Sequence, residues 1–302
     1  MTSTEELSAT RFSGRVFSDP DRPEVLFTAF DVAAYTRDAQ GRIAVDAQAV
    51  APLDDRLRAD LEFLWRLDSA GLSETRAILG NWTGNEARIT AFVATWAVER
   101  MWLAWALRDI LAADGPKPEP RSHTRLTARL RDVWVERAMP VIVAPVAAVV
   151  GESITAGHML RLALQEASLQ ATYAALLPRL EGEAARVVTE IIARRATIVE
   201  FFELEASARI GRSRAERLSA RGSMLAWRPL RIVGVPDPDE DRALASIFST
   251  PEARAGLASV DARIRGLLDG QGVIAGTDRF GGPPPPPSPG LLHRRGRRGV
   301  QS

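Results

Sequence analysis

The sequence predicts an all-α protein built on a bundle of long helices. Three observations carry that prediction. Apolar residues recur at steps of three and four through several long windows, Gly and Pro breakers fall between the windows, and strand-like alternation is confined to Arg42–Asp46. The 302 residues suffice for a sizeable core, and 46% apolar with 25% charged residues is ordinary globular composition. No repeat on the order of 30 to 50 residues recurs, which favours a bundle over a solenoid.

Residues 1–52 carry Pro20, Pro23 and Gly41 and read as an irregular arm, with Arg42–Asp46 extended or a short strand. From Leu53 the period changes. Leu57, Leu61, Leu64, Leu72 and Leu79 share one face of a helix that Gly80 and Asn81 stop. A second helix runs from about Gly84 to Ala113, carries Phe92, Trp96, Val98, Trp102, Trp105 and Leu107, and ends at Gly115-Pro116. Thr83-Gly84-Asn85-Glu86 reads as a capping box at its start, with the Thr83 hydroxyl accepting from the N3 amide and Glu86 reaching back to the cap amide.

A third helical region begins near Ser122 and enters Ala138–Gly151, an apolar run too short for a bilayer span and interrupted by Pro140 and Pro145. Helices follow over about Glu152–Leu177 and 184–210. The first places Met159, Leu162, Leu169, Tyr173 and Leu176 on one face, and the second repeats the pattern through Val188, Ile191, Ile192, Val199, Phe202 and Ile210. Residues 213–226 read as a short helix, Arg231–Val235 as extended, and 238–270 as one or two peripheral helices. The expected organisation is an arm over 1–52, a bundle over 53–235, peripheral helices of the same domain over 236–280, and a disordered Pro/Arg-rich tail over 281–302 with nothing to bury.

Composition removes several chemistries. There is no cysteine, so disulfides, thiolate metal sites and thiol nucleophiles are excluded. His123, His158 and His293 are the only imidazoles, and a metal would have to rely on carboxylates. The 39 basic and 38 acidic residues nearly cancel, which points to no nucleic-acid partner. Lys117 is the single lysine, and the arginine excess reads as a coding bias without mechanism. The tail's Arg294, Arg295, Arg297 and Arg298 leave the rest of the chain mildly acidic. Residues 1–10 lack the basic start and apolar run of a secretory signal, so a cytoplasmic protein is expected. No dinucleotide fingerprint, P-loop, zincin motif or nucleophile elbow occurs.

Two antiparallel hairpins joined by a crossover form a ferritin-like four-helix bundle, whose dinuclear sites take a Glu from one helix of each hairpin and Glu-x-x-His from the other. Asp68 interrupts the apolar stripe between Leu64 and Leu72, and Glu99 faces it across the first hairpin. Glu166 does the same in the second, opposite Ala196. The four sides then read Asp68, Glu99-x-x-Trp102, Glu166 and Ala196-x-x-Val199, with both imidazoles missing. Asp68, Glu99 and Glu166 are the candidate ligands of a residual cation site for Mn²⁺ or Mg²⁺. The competing reading pairs Asp68 and Glu166 with arginines such as Arg100 or Arg195. The tryptophans Trp65, Trp96, Trp102, Trp105 and Trp134 read as core packing that could also line an apolar pocket.

The stretches Leu61–Leu67, Ala87–Phe92 with Thr95-Trp96, and Leu164-Gln165-Glu166 through Gln170–Tyr173 resemble ferritin-like helices of the acyl-carrier-protein desaturase group. The segment Ile192–Phe202 is similar to the place where that group carries its second Glu-x-x-His, and here it reads Arg195-Ala196-Thr197-Ile198-Val199. The resemblance spans about residues 55–235. It implies a di-iron oxidase acting on a fatty acyl chain, with Glu166 as a ligand, but the Glu-x-x-His pairs are absent. The sequence therefore favours a ferritin-like helical protein with a degenerate di-iron site and no cofactor. Its expected role is non-catalytic, as a homodimer or a module binding another protein, with an apolar small molecule as a further partner and no membrane span. The alternative is a metal-dependent oxidoreductase, desaturase-like or oxygenase-like, with Fe or Mn on those carboxylates.

Overall fold

A computed structural model describes residues 14–15, 25–118, 151–225, 227–231 and 238–269, all within one compact unit spanning Met1–Gly272. The protein is all-α. The helices are α1 (Val32–Arg37), α2 (Asp55–Ser69), α3 (Gly71–Leu79), α4 (Ala87–Ala113), α5 (Ile154–Leu176), α6 (Gly182–Arg212), α7 (Arg214–Met224), α8 (Pro238–Ile247) and α9 (Pro251–Gly266). No strand occurs among the described residues. A single isolated bridge pairs Arg15 with Glu86. The third helical region expected from Ser122, most of Arg231–Val235 and the tail lie outside the described residues.

Local chemistry fixes the ends. Asp54 starts α2 by accepting from the Leu57 amide, Ser213 starts α7 by accepting from Glu216 N, and Thr250 starts α9 ahead of Pro251. The helix expected from Leu53 to Leu79 is broken at Ala70, and Gly71 is the reason for the close packing there. A Cβ on Gly71 would stand 2.9 Å from Nε of Arg100, so only glycine lets that guanidinium pass.

Within the arm, Val32–Arg37 form α1. Arg42–Asp46 is extended without β-pairing. Its alternation comes from lying on helices: Ile43 is buried in the core, while Arg194 Nη1 and Arg186 Nη2 from α6 donate to the carbonyls of Gly41 and Ala44, each at 2.6 Å. Arginines do what a neighbouring strand would do.

Helix α5 packs along α6 and also meets α7, α8 and α9, while α4 packs along α2 and α3 and touches α1 and α6. Two apolar clusters result. One gathers Leu61, Leu64, Leu67, Leu103, Leu107, Leu169, Tyr173 and Ile191. The other gathers Phe92, Trp96, Leu160, Leu164, Ile198, Phe201 and Phe202. Along the long helices the changeover falls at Asp68, Glu99-Arg100, Ser168 and Arg194-Arg195, with Glu166 two residues before Ser168, so a charged layer lies between the two. The tryptophans divide. Trp65 and Trp96 are buried as expected, but Trp102 and Trp105 sit on the outer face of α4, and Trp134 is outside the described residues.

Candidate functional site

The charged layer is the candidate site. Asp68 on α2, Arg100 on α4, Glu166 on α5 and Arg195 on α6 point into it, each at most 1% exposed. Arg195 Nη2 donates to Asp68 Oδ1 at 2.7 Å, and Arg195 Nη1 donates to Glu166 Oε2. One guanidinium thus spans two carboxylates on different helices. Tyr173 donates its hydroxyl to Asp68 Oδ2 at 2.5 Å, and its ring lies under the Arg195 guanidinium.

Arg100 closes the other side. Its Nη2 donates to the Leu67 carbonyl at 2.6 Å, its Nη1 donates to Glu74 Oε2 at 2.9 Å, and its guanidinium stacks over Trp96. It stands 3.5 Å from Asp68 Oδ1 and 3.6 Å from Glu166 Oε1. Two buried cations therefore face two buried anions, which is what makes such burial tolerable.

Electrostatics follow from that balance. Burial pushes the Glu166 carboxyl above its ordinary range, against the pull of Arg195 and Arg100. Burial acts against the charge of Arg195, yet Asp68 and Glu166 outweigh it and hold the guanidinium protonated. Tyr173 is raised by burial and by Asp68.

Of the three sequence-derived candidates, the structure brings Asp68 and Glu166 together on Arg195 and gives Glu99 a different partner. Glu99 Oε2 accepts from the Tyr35 hydroxyl, and burial raises its carboxyl. A cleft of about 490 Å³ between α1, α4 and α6 ends at this pair, with Phe30, Asp31, Asp38, Glu190 and Glu200 in its walls. Arg195, one residue before the expected Ala196, closes the fourth side, because its position and not that of Ala196 turns toward Glu166. The arginine excess that looked like coding bias supplies both cations of the layer.

No protein-family model, characterised protein or solved structure matches the chain.

A second buried network lies at the far end of the same helices. Arg209 donates to both oxygens of Glu86, at 3.0 and 2.8 Å, and to Glu205 Oε2 at 3.2 Å. Arg88 bonds Glu205, and Arg15 and Arg212 reach Glu152 at 3.0 and 3.3 Å. This overturns the capping-box expectation. Glu86 is the N-cap residue of α4 without a side-chain cap bond, its carboxylate is held by Arg209, and Thr83 Oγ1 hydrogen-bonds His158 Nδ1 at 2.7 Å. The residue that competes for Glu86 lies 123 positions away, so no local motif announced it.

A di-iron centre does not fit the charged layer. One oxygen of each of Asp68 and Glu166 accepts from Arg195, Asp68 Oδ2 accepts from Tyr173, the Arg100 guanidinium adjoins both carboxylates, and Glu99 is turned to Tyr35. Among the described residues no three His, Cys, Asp or Glu side chains gather as a metal-holding group. What the layer does chemically is hold four helices by directional, charge-assisted hydrogen bonds.

Proposed function

We propose that this chain is a ferritin-like helical module without a competent di-iron centre, working through binding as a dimerising or partner-binding unit. In this reading α2 and α4 form one antiparallel hairpin and α5 and α6 the other. The observation that carries the proposal is Arg195 spanning Asp68 and Glu166: the protein's own cation stands between the two carboxylates that a metal would bridge. An internal guanidinium needs no cofactor to neutralise the two carboxylates it spans.

The test is anaerobic reconstitution with Fe²⁺ or Mn²⁺, desalting, and metal analysis of the eluted protein. The expected retention is near zero. Retention of about two equivalents, the stoichiometry of a ferritin-like centre, would overturn the proposal and favour the metal-dependent oxidoreductase.

A further inference from the structure

Glu99 is unlike the other buried carboxylates. Among the described residues each of those, from Asp60 to Glu240, is ion-paired with an arginine, and Glu99 alone is not. Its Oε2 accepts from Tyr35, while its Oε1 accepts from no described residue and opens on the cleft that ends there. The two guanidiniums that act on it are engaged elsewhere: Arg194 donates to the Gly41 carbonyl and to Glu190, and Arg195 is held by Asp68 and Glu166. A carboxylate that is 6% exposed gains little from water, and a cation entering the cleft would bond it without displacing any protein donor.

Two further carboxylates in the walls, Asp31 and Glu200, are exposed and also lack an ion pair among the described residues. Asp31 gives one oxygen to the Ala34 amide as N-cap of α1. The other wall acids are already paired, Asp38 with Arg37 and Glu190 with Arg186 and Arg194. Arg88, which donates to the Phe30 carbonyl next to Asp31, is neutralised by Glu205. Asp31, Glu99 and Glu200 are thus left without a cation in one cleft of about 490 Å³, and Phe30, Ala34 and Ala193 give it apolar wall.

These carboxylates do not converge on a point, since no three acidic or imidazole side chains among the described residues gather as a metal-holding group. A single inorganic ion, which needs several oxygens at one centre, does not suit that spacing. Charge spread along an apolar-walled cleft matches charge spread along a hydrocarbon chain. We infer that the cleft between α1, α4 and α6 binds an aliphatic polyamine, with one ammonium donating to Glu99 Oε1 at the closed end, the others near Asp31 and Glu200, and the methylenes against Phe30 and the alanines. The acceptor is set in advance: Tyr35 holds Oε2, and the Tyr35 ring is itself stacked on Phe92 at 4.6 Å. The inference goes beyond the function proposed above and rests on the cleft, not on Arg195 and its two carboxylates.

The test is calorimetric titration of spermidine into the full chain at about 0.1 M salt, where screening over about 10 Å suppresses loose polycation binding. One equivalent should bind with a dissociation constant at or below about 100 µM. Glu99→Gln keeps an acceptor for Tyr35 and removes the charge, and it should weaken spermidine at least about tenfold, roughly 1.4 kcal/mol. Glu200→Gln and Asp31→Asn, the latter still able to cap α1, should each weaken it several-fold, and they report on the cleft even if Glu99→Gln fails to fold. Glu252→Gln, which removes an exposed acid of α9, should change nothing. The inference is overturned if no saturable equivalent binds, if wild type and Glu99→Gln bind equally, or if Glu252→Gln costs as much as Glu200→Gln. Binding of one equivalent of Mn²⁺ alone that Glu99→Gln abolishes would also overturn it, because the cleft would then be a metal site.

Discussion

Asp68 and Glu166 each give a charge to Arg195, so removing either charge strands part of a guanidinium in a place water does not reach. Asp68→Asn and Glu166→Gln should each destabilise the protein by about 3 to 5 kcal/mol, the usual cost of breaking a buried pair from one side. Urea unfolding with chelator present measures it. Variants more stable than wild type under those conditions would mean that repulsion between the two carboxylates dominates, and the pairing argument would fall. His158 makes a separate test in pH. Burial, with help from Arg161, lowers it to about 4 from an ordinary 6.5. The unfolded chain then binds the proton that the fold refuses, so stability is lost as pH falls from 6.5 toward 4, on the order of 3 kcal/mol in all. His158→Gln should flatten the profile in that window. If wild type and variant lose stability in parallel, the imidazole is not the group responsible. Residues of this kind are only partly legible in a sequence. Asp68 and Glu166 stood out because they break apolar stripes, and Arg195 was available as a partner, yet a one-residue error in helix phase pointed to Ala196. Tyr173 was hidden altogether, since a tyrosine in an apolar stripe looks like core until its hydroxyl is seen on Asp68.

At the scale of elements, the break between α2 and α3 shows propensity and packing in opposition. Alanine is the better helix former by about 1 kcal/mol at an exposed site, so Gly71→Ala would stabilise an isolated helix. Here the added methyl meets Arg100 Nε at 2.9 Å and Cδ at 3.1 Å, and Arg100 has no freedom to retreat because Leu67, Glu74 and Trp96 hold it. Gly71→Ala should therefore cost about 1 to 3 kcal/mol in urea unfolding, the range for overpacking a core. A stabilised variant would show that the guanidinium is looser than its contacts indicate. The long helices themselves were legible, to within a few residues at each end, because their apolar period is sustained over many turns. The arm was not, because its order comes from Arg186 and Arg194 donating across from α6, and tertiary donors leave no periodic trace in the segment they hold.

At the scale of the whole molecule, the charged layer has a consequence beyond the pairs it contains. The apolar clusters on either side are built from Leu, Ile, Val, Ala and Phe, and surfaces of that composition tolerate sliding: one helix displaced by a turn, about 5.4 Å, still meets hydrocarbon. The same displacement of α6 would carry Arg195 away from both Asp68 and Glu166 and leave its buried charge without a partner. The layer thus works as a vernier, fixing the longitudinal setting of all four helices against near-equivalent alternatives. Replacing the set together, as Asp68→Leu, Arg100→Met, Glu166→Met and Arg195→Leu, should leave the melting temperature level or higher while multiplying and broadening amide resonances in two-dimensional NMR. One sharp set of resonances from that variant would show that hydrocarbon packing alone sets the helices in place.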